Sequence, residues 1–236
     1  TTQEAGARSS LGERNGLGPD ALEGLPDYQE PYAKPVEKTR HWAHTNRHIG
    51  LTETIRRIHP TILIGTSTDH DAFTQQVVEE MCREVERPII MPLSNPTEKI
   101  EAMPADVIAW SKGKALVSVG IPVAPFHYEG TRYEIGQGNN ALLYPGLGLG
   151  VIVSGAERVS ARMIRAAAEA VASQVDPRPA GSSLLPAVEN LRASSATVAV
   201  AVVQAAIEEG LATKKPSNVV QAVQDAMWWP HYPPVG

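Results

Sequence analysis

Three short apolar runs, at 62–65, 88–93 and 115–120, constrain the fold of this chain more than any other feature. A run of this length between turn residues is typical of a strand in a parallel sheet, and the first has the composition of a strand buried on both faces. Apolar residues at helical spacing follow the first run at 73–85, and a shorter helical pattern follows the second at 105–110. The order of strand, helix and strand predicts an α/β fold with a Rossmann-like parallel sheet.

The chain changes character along its length. Glycine and proline punctuate residues 1–60, which are expected to be rich in loops, whereas 61–155 form the predicted sheet core and 156–236 a helical segment. Helices are predicted at 159–173, at 188–209 and at 218–229, where Trp228 and Trp229 would anchor the last one. The predicted fold is therefore a parallel sheet followed by helices that cover one side of it.

Two of the predicted helices carry more specific expectations. Ser160 would cap the helix at 159–173. Its buried stripe would consist of Met163, Ile164, Ala167 and Val171. The helix at 188–209 is rich in alanine and valine and should be largely buried.

Composition excludes several classes of partner. The formal net charge is −5 and the sequence pI is about 5.8, which disfavours sequence-independent binding to nucleic acid. No apolar run is expected to reach the roughly 18 residues of a membrane span, and the opening residues lack the apolar core of a secretory signal. The single cysteine, Cys82, excludes an internal disulfide and is expected to lie in the core. We therefore expect a cytoplasmic protein.

Two loops at the predicted carboxyl ends of strands are candidate binding elements. Gly65-Thr66-Ser67-Thr68 follows the first strand, where small residues would let a ligand approach the backbone, and residues 66–69 would also supply the cap of the next helix. Ser94-Asn95-Pro96-Thr97 follows the second strand, and the amide of Asn95 could both donate to a carboxylate and accept from a hydroxyl. A tight βα turn and an Asx-type turn are the alternative explanations.

A third candidate is Gly136-Gln137-Gly138-Asn139-Asn140, which precedes a predicted helix start. Its two asparagines offer neutral hydrogen-bond donors, and the amino end of a helix favours an anion. The glycines at 146, 148 and 150 are better explained by close helix packing than by phosphate binding, since no strand leads directly into them.

The other chemically suggestive groups have ordinary explanations. Glu13 could be the acid that holds an adenosine ribose, although a solvated glutamate before a turn is the simpler interpretation. The histidines at 41, 44 and 48 have spacing compatible with zinc but lie in a stretch with little helical character. Asp69-His70-Asp71 resembles a metal triplet, yet adjacent side chains diverge.

Several motifs in colinear order resemble the cofactor domain of malic enzymes and the related malolactic enzymes. They are PTILIGTST at 60–68, AFT at 72–74, RPII at 87–90, LSNPT at 93–97, GQGNN at 136–140, YPGLGLG at 144–150, residues 191–201 and the terminal Trp-x-x-x-Tyr at 228–232. The resemblance covers nearly the whole chain. It implies that 1–60 is the partial start of an NAD-binding domain, 61–155 its NAD- and substrate-binding core, and 156–236 its carboxyl-terminal helices.

The resemblance implies a role for each candidate loop. Gly65, Thr66, Ser67 and Ser94 would lie along the dinucleotide. Asn95 and Asn140 would contact both malate and the nicotinamide cofactor, with Asn139 beside them in the substrate site. Glu13 would hold the adenosine ribose, where the family usually has an aspartate, and the neutral Gln29 favours NAD over NADP.

The resemblance also implies what this chain would not contain. The family's catalytic tyrosine and lysine, its carboxylate ligands for Mn²⁺ or Mg²⁺ and its glycine-rich pyrophosphate loop all precede the matched region. No catalytic residue and no metal ligand is therefore expected here, and the sheet is expected to be incomplete at its amino end. The family reads Gly-Ser-Pro where this chain has Gly120-Ile121-Pro122, so one polar contact near the cofactor is expected to be missing.

Three functions remain open at this point. The first is the NAD-binding part of a malic enzyme, which converts malate to pyruvate and CO₂ and would be inactive without the amino-terminal region. The second is malolactic conversion of malate to lactate, which Ile121 weakly favours. The third is a non-catalytic NAD-binding or partner-binding module. A homo-oligomer, dimer or tetramer, is expected from the resemblance.

Overall fold

The computed structural model describes Gly12–Glu13, Gly16–Leu17, Trp42 and residues 49–229, in two compact units, Thr1–Ile121 and Pro122–Gly236. The described elements of the first unit are β1 (Gly12–Glu13), β2 (Gly16–Leu17), α1 (Leu51–Ile58), β3 (Ile62–Gly65), α2 (Gln75–Glu84), β4 (Ile89–Pro92), α3 (Pro104–Trp110) and β5 (Leu116–Val119). Those of the second unit are β6 (Phe126–Tyr128), β7 (Thr131–Tyr133), β8 (Gly136–Gln137), α4 (Tyr144–Ser154), α5 (Ala161–Ala172), α6 (Leu191–Glu208) and α7 (Val219–Ala226). The predicted boundaries after residues 60 and 155 stay predictions.

The first unit is built on the predicted parallel sheet. β3 pairs in parallel with β4, and β4 pairs in parallel with β5, so all three predicted strands are confirmed. α2 connects β3 to β4 and α3 connects β4 to β5, as the βαβ pattern predicts. The core of this unit consists of buried aliphatic side chains, which include Val78, Met81, Ile90, Val107, Ile108, Val117 and Val119. The α/β class and its parallel sheet are therefore confirmed.

Burial of β3 differs from the expectation. Ile62 and Ile64 are 50% and 58% exposed, so this strand is not buried on both faces. Among the described strands β3 lies at the edge of its sheet, and alternate side chains of a strand point to the same face. Within the described residues, one face of β3 is consequently open to solvent.

α1 (Leu51–Ile58) lies in the segment 1–60, which is expected to be rich in loops. Leu51, Ile55 and Ile58 recur at helical spacing, but the helix is only eight residues long and Ile55 is the only one of the three that is buried. Charged side chains support it, because both Arg56 and Arg57 pair with Glu53. Its apolar positions do share one face of the helix, but a helix of eight residues repeats that pattern over only about two turns, which is why the sequence pattern missed it.

The start of α2 also corrects an expectation. Residues 66–69 do not cap this helix; the Oγ1 atom of Thr74 accepts from the backbone amide of Val77 at 3.4 Å. Residues 66–73 form a loop in which Thr68 and Asp71 have positive φ angles of 57° and 59°. The strand end and the helix start are thus separated by a longer connection than predicted.

The second unit is organised around α6. Val198, Val202 and Ala206 pack in one apolar cluster with residues of α4 and α5, whereas Ala199 and Val203 pack in another with Val223 of α7. The predicted burial of this helix is therefore confirmed for two adjacent faces. Together with the 3₁₀ turn before it, this helix forms the segment Val188–Glu208, which by length and composition alone could cross a membrane. The core helix of a soluble protein can meet the same criterion. The prediction that no apolar segment reaches the length of a membrane span was therefore wrong for this segment.

Two of the three glycines in α4 serve the helix packing that was predicted. A Cβ atom on Gly146 would lie 2.5 Å from Cβ of Val198, and one on Gly150 would lie 2.6 Å from Cβ of Val202. A Cβ atom on Gly148 would meet nothing within 4 Å. Close packing therefore explains Gly146 and Gly150 but not Gly148.

We expect Gly150→Ala to lower the free energy of unfolding of the second unit by about 1–3 kcal/mol, because the added methyl group overpacks the contact with Val202. Gly148→Ala is the matched control in the same helix and should raise that free energy by about 0.5–1 kcal/mol. Urea denaturation followed by circular dichroism measures both changes. Equal effects of the two substitutions would contradict the packing explanation.

The two other helices partly agree with their predictions. Ser160 caps α5 as predicted, with Oγ accepting from the amide of Met163 at 3.1 Å. Met163 is fully buried, but Ile164 is 49% exposed and does not belong to the buried stripe. α7 ends at Ala226, before the two tryptophans, and Trp228 and Trp229 are 73% and 59% exposed. They still attach the end of this helix to α6, because Nη1 of Arg192 donates to the carbonyl of Trp228 at 3.1 Å and the Arg192 guanidinium lies 3.5 Å from the centre of the Trp229 ring.

Candidate functional site

The two predicted loops of the first unit lie next to each other. Because β3 and β4 are parallel, with Gly65 opposite Pro92, both loops leave the same edge of the sheet. The backbone amide of Leu93 donates to the carbonyl of Gly65 at 2.9 Å, and the amide of Thr68 donates to Oγ of Ser94 at 2.9 Å. The structure therefore brings the loop at 65–68 and the loop at 94–95 together.

A buried carboxylate that the sequence analysis did not single out joins these loops. Glu101 is fully buried, and its Oε1 atom accepts from the amide of Ser67 at 2.8 Å and from the Ser67 hydroxyl at 2.9 Å. The same oxygen accepts from the hydroxyl of Ser94 at 2.5 Å, while Oε2 accepts from the Ser94 amide at 3.2 Å. One side chain thus receives four hydrogen bonds from two separate loops.

These hydrogen bonds determine the charge of Glu101. Burial raises the pKa of this carboxyl group, but the hydrogen bonds from Ser94 and Ser67 favour the ionised form, and the net effect is a pKa below its usual range. Glu101 is accordingly ionised at neutral pH. Within residues 49–229 no lysine or arginine forms an ion pair with it, so hydroxyl and amide donors alone stabilise the charge.

The sequence pattern predicts that Gly65 lets a ligand approach the backbone, but the structure shows a contact with the protein's own side chains. A Cβ atom there would lie 2.6 Å from Cδ of Glu101 and 2.8 Å from Cζ of Phe73. The space beside the glycine is therefore filled by the protein's own carboxylate and aromatic ring. The contact of Gly65 and of the exposed Thr66 with a cofactor stays a prediction.

Asn95 has the exposed amide that the sequence analysis predicted. Leu93 and Ser94 separate it from the end of β4, and its only hydrogen bond among the described contacts runs from Nδ2 to the carbonyl of Leu93 at a long 3.4 Å. The end of β5 approaches the same loop, since a Cβ atom on Gly120 would lie 2.2 Å from the Leu93 carbonyl oxygen. The amide of Asn95 is consequently held near the sheet edge, and its contact with a ligand stays a prediction.

The two asparagines of the second unit differ from each other. Asn139 caps a 3₁₀ turn at Asn140–Leu142, with Oδ1 accepting from the amide of Ala141 at 2.9 Å. Asn140 is exposed. The helix α4 begins within a few residues, as predicted. The convergence of Asn140 and Asn95 on one ligand joins residues of different units and stays a prediction.

The remaining candidates have limited roles in the described structure. Glu13 lies in the short antiparallel pair of β1 and β2, and its ribose contact stays a prediction. The histidines at 41, 44 and 48 lie outside the described residues. Nδ1 of His70 lies 3.1 Å from the carbonyl of Ile100, which can only accept, so this nitrogen donates. Cys82 is half-buried, and burial raises the pKa of its thiol.

Sequence spacing gave little indication of Glu101. The residue is an acid between the buried apolar residues Ile100 and Ala102, which is an unusual place for a carboxylate. Its partners Ser67 and Ser94 are 34 and 7 residues away in sequence. An acid between two apolar residues was the one signal in the sequence, and only the tertiary fold identifies the groups that bind it.

The first unit is an open α/β sheet, and two loops rich in small residues meet at the carboxyl ends of its parallel strands. Proteins with open sheets of this class bind their ligands at the carboxyl ends of the strands. The model of the malic enzyme NAD-binding domain matches residues 1–207. This chain therefore belongs to the malic enzyme family, in agreement with the resemblance of its motifs.

Individual relatives agree with this assignment. NAD-dependent malic enzyme 3 of Bacillus subtilis is 47% identical over 225 residues, which are 94% of this chain and 40% of that protein. The malolactic enzyme of Lactococcus lactis is 43% identical, over 93% of this chain and 40% of that protein. The crystal structure of malic enzyme from Pyrococcus horikoshii matches 75% of this chain and 36% of its own length, with a TM-score of 0.60 and 26% identity. The chain thus spans about 40% of the length of these curated relatives.

Proposed function

We propose that this chain supplies the NAD-binding and malate-binding residues of an enzyme that oxidises and decarboxylates malate to pyruvate and CO₂. One observation carries the proposal: the loops at 65–68 and 94–95 are joined at the carboxyl ends of parallel strands, with the amide of Asn95 exposed beside them. The name of the relative from Bacillus subtilis supports malate as substrate and NAD as cofactor.

The proposed roles follow from the chemistry of the side chains. Gly65, Thr66, Ser67 and Ser94 would hold NAD, which supplies hydride acceptance when bound. The primary amide of Asn95 would donate to a carboxylate of malate without adding a charge, and Asn140 would do the same from the second unit. These groups would bind and orient the substrate. A primary amide does not ionise near neutral pH, so the two asparagines are not proposed as acids or bases.

The divalent metal of the proposed reaction does not fit the described residues. No group of three histidine, cysteine, aspartate or glutamate side chains comes together in the part of the chain that the structure describes. Hard cations such as Mg²⁺ and Mn²⁺ need oxygen ligands of that kind. We therefore propose that the ligands of this metal, and the groups that move protons, belong to other parts of a longer polypeptide.

Asn95→Ala is expected to weaken malate binding in the presence of NAD⁺ by roughly tenfold, because a hydrogen bond to a charged carboxylate is lost. Asn140→Ala should have an effect of similar size, and both variants should bind NAD⁺ with no more than a few-fold change. Isothermal titration calorimetry with malate and saturating NAD⁺, on the whole polypeptide that contains this chain, measures the dissociation constants.

Asn190→Ala is the matched control, since Asn190 is exposed and makes no side-chain capping bond at the start of α6. Unchanged malate affinity in both Asn95→Ala and Asn140→Ala would contradict the substrate assignment. Absence of NAD⁺ binding by the unsubstituted whole polypeptide that contains this chain would contradict the cofactor assignment. A whole polypeptide that binds NAD⁺ but gains no affinity for malate would match the non-catalytic module.

Malolactic conversion is the second candidate function. The malolactic relative is about as similar to this chain as the malic relatives are, and Ile121 is buried where the family usually has a serine. The two reactions differ in what leaves the enzyme. Net NADH release at saturating malate, measured by absorbance on the whole polypeptide that contains this chain, supports the malic reaction, whereas lactate without net NADH supports the malolactic one.

We also propose a homo-oligomer in the cytoplasm, with neither a nucleic acid nor a membrane as partner. The resemblance to the family supports the oligomer, and the acidic composition supports the exclusion of nucleic acid.

A further inference from the structure

The loop at 66–73 depends on residues outside itself for its conformation. Two of its residues, Thr68 and Asp71, have positive φ angles, which cost free energy in residues other than glycine. The hydrogen bonds within the loop are the 3.3 Å bond from the amide of Ala72 to the carbonyl of Asp69 and the 3.2 Å bond from the amide of Asp69 to Oγ of Ser67. These two bonds are local and leave most of the loop's backbone donors to other partners.

The segment Ile100-Glu101 supplies those partners through its backbone. The amide of Asp71 donates to the carbonyl of Ile100 at 3.2 Å, and the amide of Phe73 donates to the carbonyl of Glu101 at 2.9 Å. Nδ1 of His70 donates to the same Ile100 carbonyl. The second half of the loop is therefore held against this segment.

The carboxylate of Glu101 holds the first half of the loop and the loop at 94–95 at the same time. It receives two hydrogen bonds from Ser67 and two from Ser94, and Ser94 in turn accepts from the amide of Thr68. A carboxylate only accepts, so it matches this set of four donors, and a neutral amide in its place would direct an N–H group at some of them. Glutamate and glutamine have nearly the same shape, so the difference between them lies in their hydrogen-bonding groups.

We propose that Glu101 is a positioning residue for NAD, whose ionised carboxylate fixes the loops at 65–68 and 94–95 in the conformation that binds the cofactor. The inference rests on the proposed function, since it assigns NAD to these loops. Glu101 itself is buried beneath them and does not reach solvent. Its effect on the cofactor is transmitted through the backbone of Ser67, Thr68 and Ser94.

The test compares NAD⁺ binding by the whole polypeptide that contains this chain and by its Glu101→Gln variant, measured by isothermal titration calorimetry at pH 7. We expect the dissociation constant to rise at least tenfold in the variant, with an unchanged stoichiometry of binding. Glu98→Gln is the matched control: Glu98 is exposed on the same segment, carries the same charge and makes none of these hydrogen bonds. Its dissociation constant should stay within twofold of that of the unsubstituted chain.

Hydrogen exchange separates positioning from packing. Glutamine fills the volume of glutamate, so a role limited to packing predicts equal NAD⁺ affinity and equal exchange in Glu101→Gln. Positioning predicts faster exchange of the amides of Ser67, Thr68 and Ser94 in the variant, while α5 and α6 exchange as before.

The outcomes distinguish the two proposals. Binding by the unsubstituted chain with equal affinity in Glu101→Gln overturns the positioning role and leaves the proposed function standing. Absence of binding by the unsubstituted chain overturns both. If Glu101→Gln does not fold, Ser94→Ala and Ser67→Ala each remove donors while keeping the carboxylate, and NAD⁺ affinity equal to that of the unsubstituted chain in both overturns the inference.

Discussion

Replacing Glu101 with leucine is expected to lower the free energy of unfolding of the first unit by about 4 kcal/mol at pH 7, because donors of Ser67 and Ser94 lose their acceptor inside the protein. Leucine is close to glutamate in volume, so the loss measures the hydrogen bonds and not a cavity. Urea denaturation at pH 7 measures the change. An effect below about 1 kcal/mol would show that water or other groups satisfy these donors.

The same variant should show a specific dependence on pH. The folded-state pKa of Glu101 lies below its ordinary value of 4.5, so the ionised carboxylate contributes stability that is fully present above that pH. This contribution is lost as the pH falls through the lower folded-state pKa. The difference in unfolding free energy between the unsubstituted chain and Glu101→Leu should therefore be constant from pH 7 to about pH 5 and shrink on further acidification.

Glu98→Leu is the control for the acid series, since its carboxylate is exposed and receives none of these hydrogen bonds. Its difference from the unsubstituted chain should be small at pH 7 and should change little on acidification. A pH-independent difference for Glu101→Leu would contradict the ionised state of the buried carboxyl group.

Met163→Ala is expected to lower the free energy of unfolding of the second unit by about 3 kcal/mol. Met163 is fully buried in the cluster that joins α4, α5 and α6, and truncation removes apolar contacts and leaves a cavity. Thermal and urea denaturation followed by circular dichroism measure the loss.

Ile164→Ala is the matched control in the next position of the same helix. Ile164 is 49% exposed, so its truncation should cost less than about 1 kcal/mol. Comparable losses for the two variants would contradict the assignment of the buried face of α5.

Local patterns were sufficient for most elements of the fold. The strands β3, β4 and β5 and the helices α3 and α6 lie where apolar runs and periodicity predicted them, because strand and helix formation depend on neighbours along the chain. The cap Ser160 was also predictable, since capping chemistry is confined to a few residues. α1 was missed although Leu51, Ile55 and Ile58 recur at helical spacing, because eight residues repeat that pattern over only about two turns.

Burial of particular side chains was less predictable. Ile62 and Ile64 have the composition of a buried strand, yet their exposure depends on which elements cover β3. Ile164 occupies a plausible position in an apolar stripe, but the direction from which α4 and α6 approach places it outside. Periodicity specifies that a helix has an apolar face, and packing decides its limits.

By itself, the sequence determined the family, the parallel sheet and the two strand-end loops, because each depends on short runs of neighbouring residues. Only the tertiary structure decided that Glu101 connects those loops and that Gly65 makes room for it. The physical reason is that a buried charge is stable only where donors surround it, and these donors come from positions far apart along the chain.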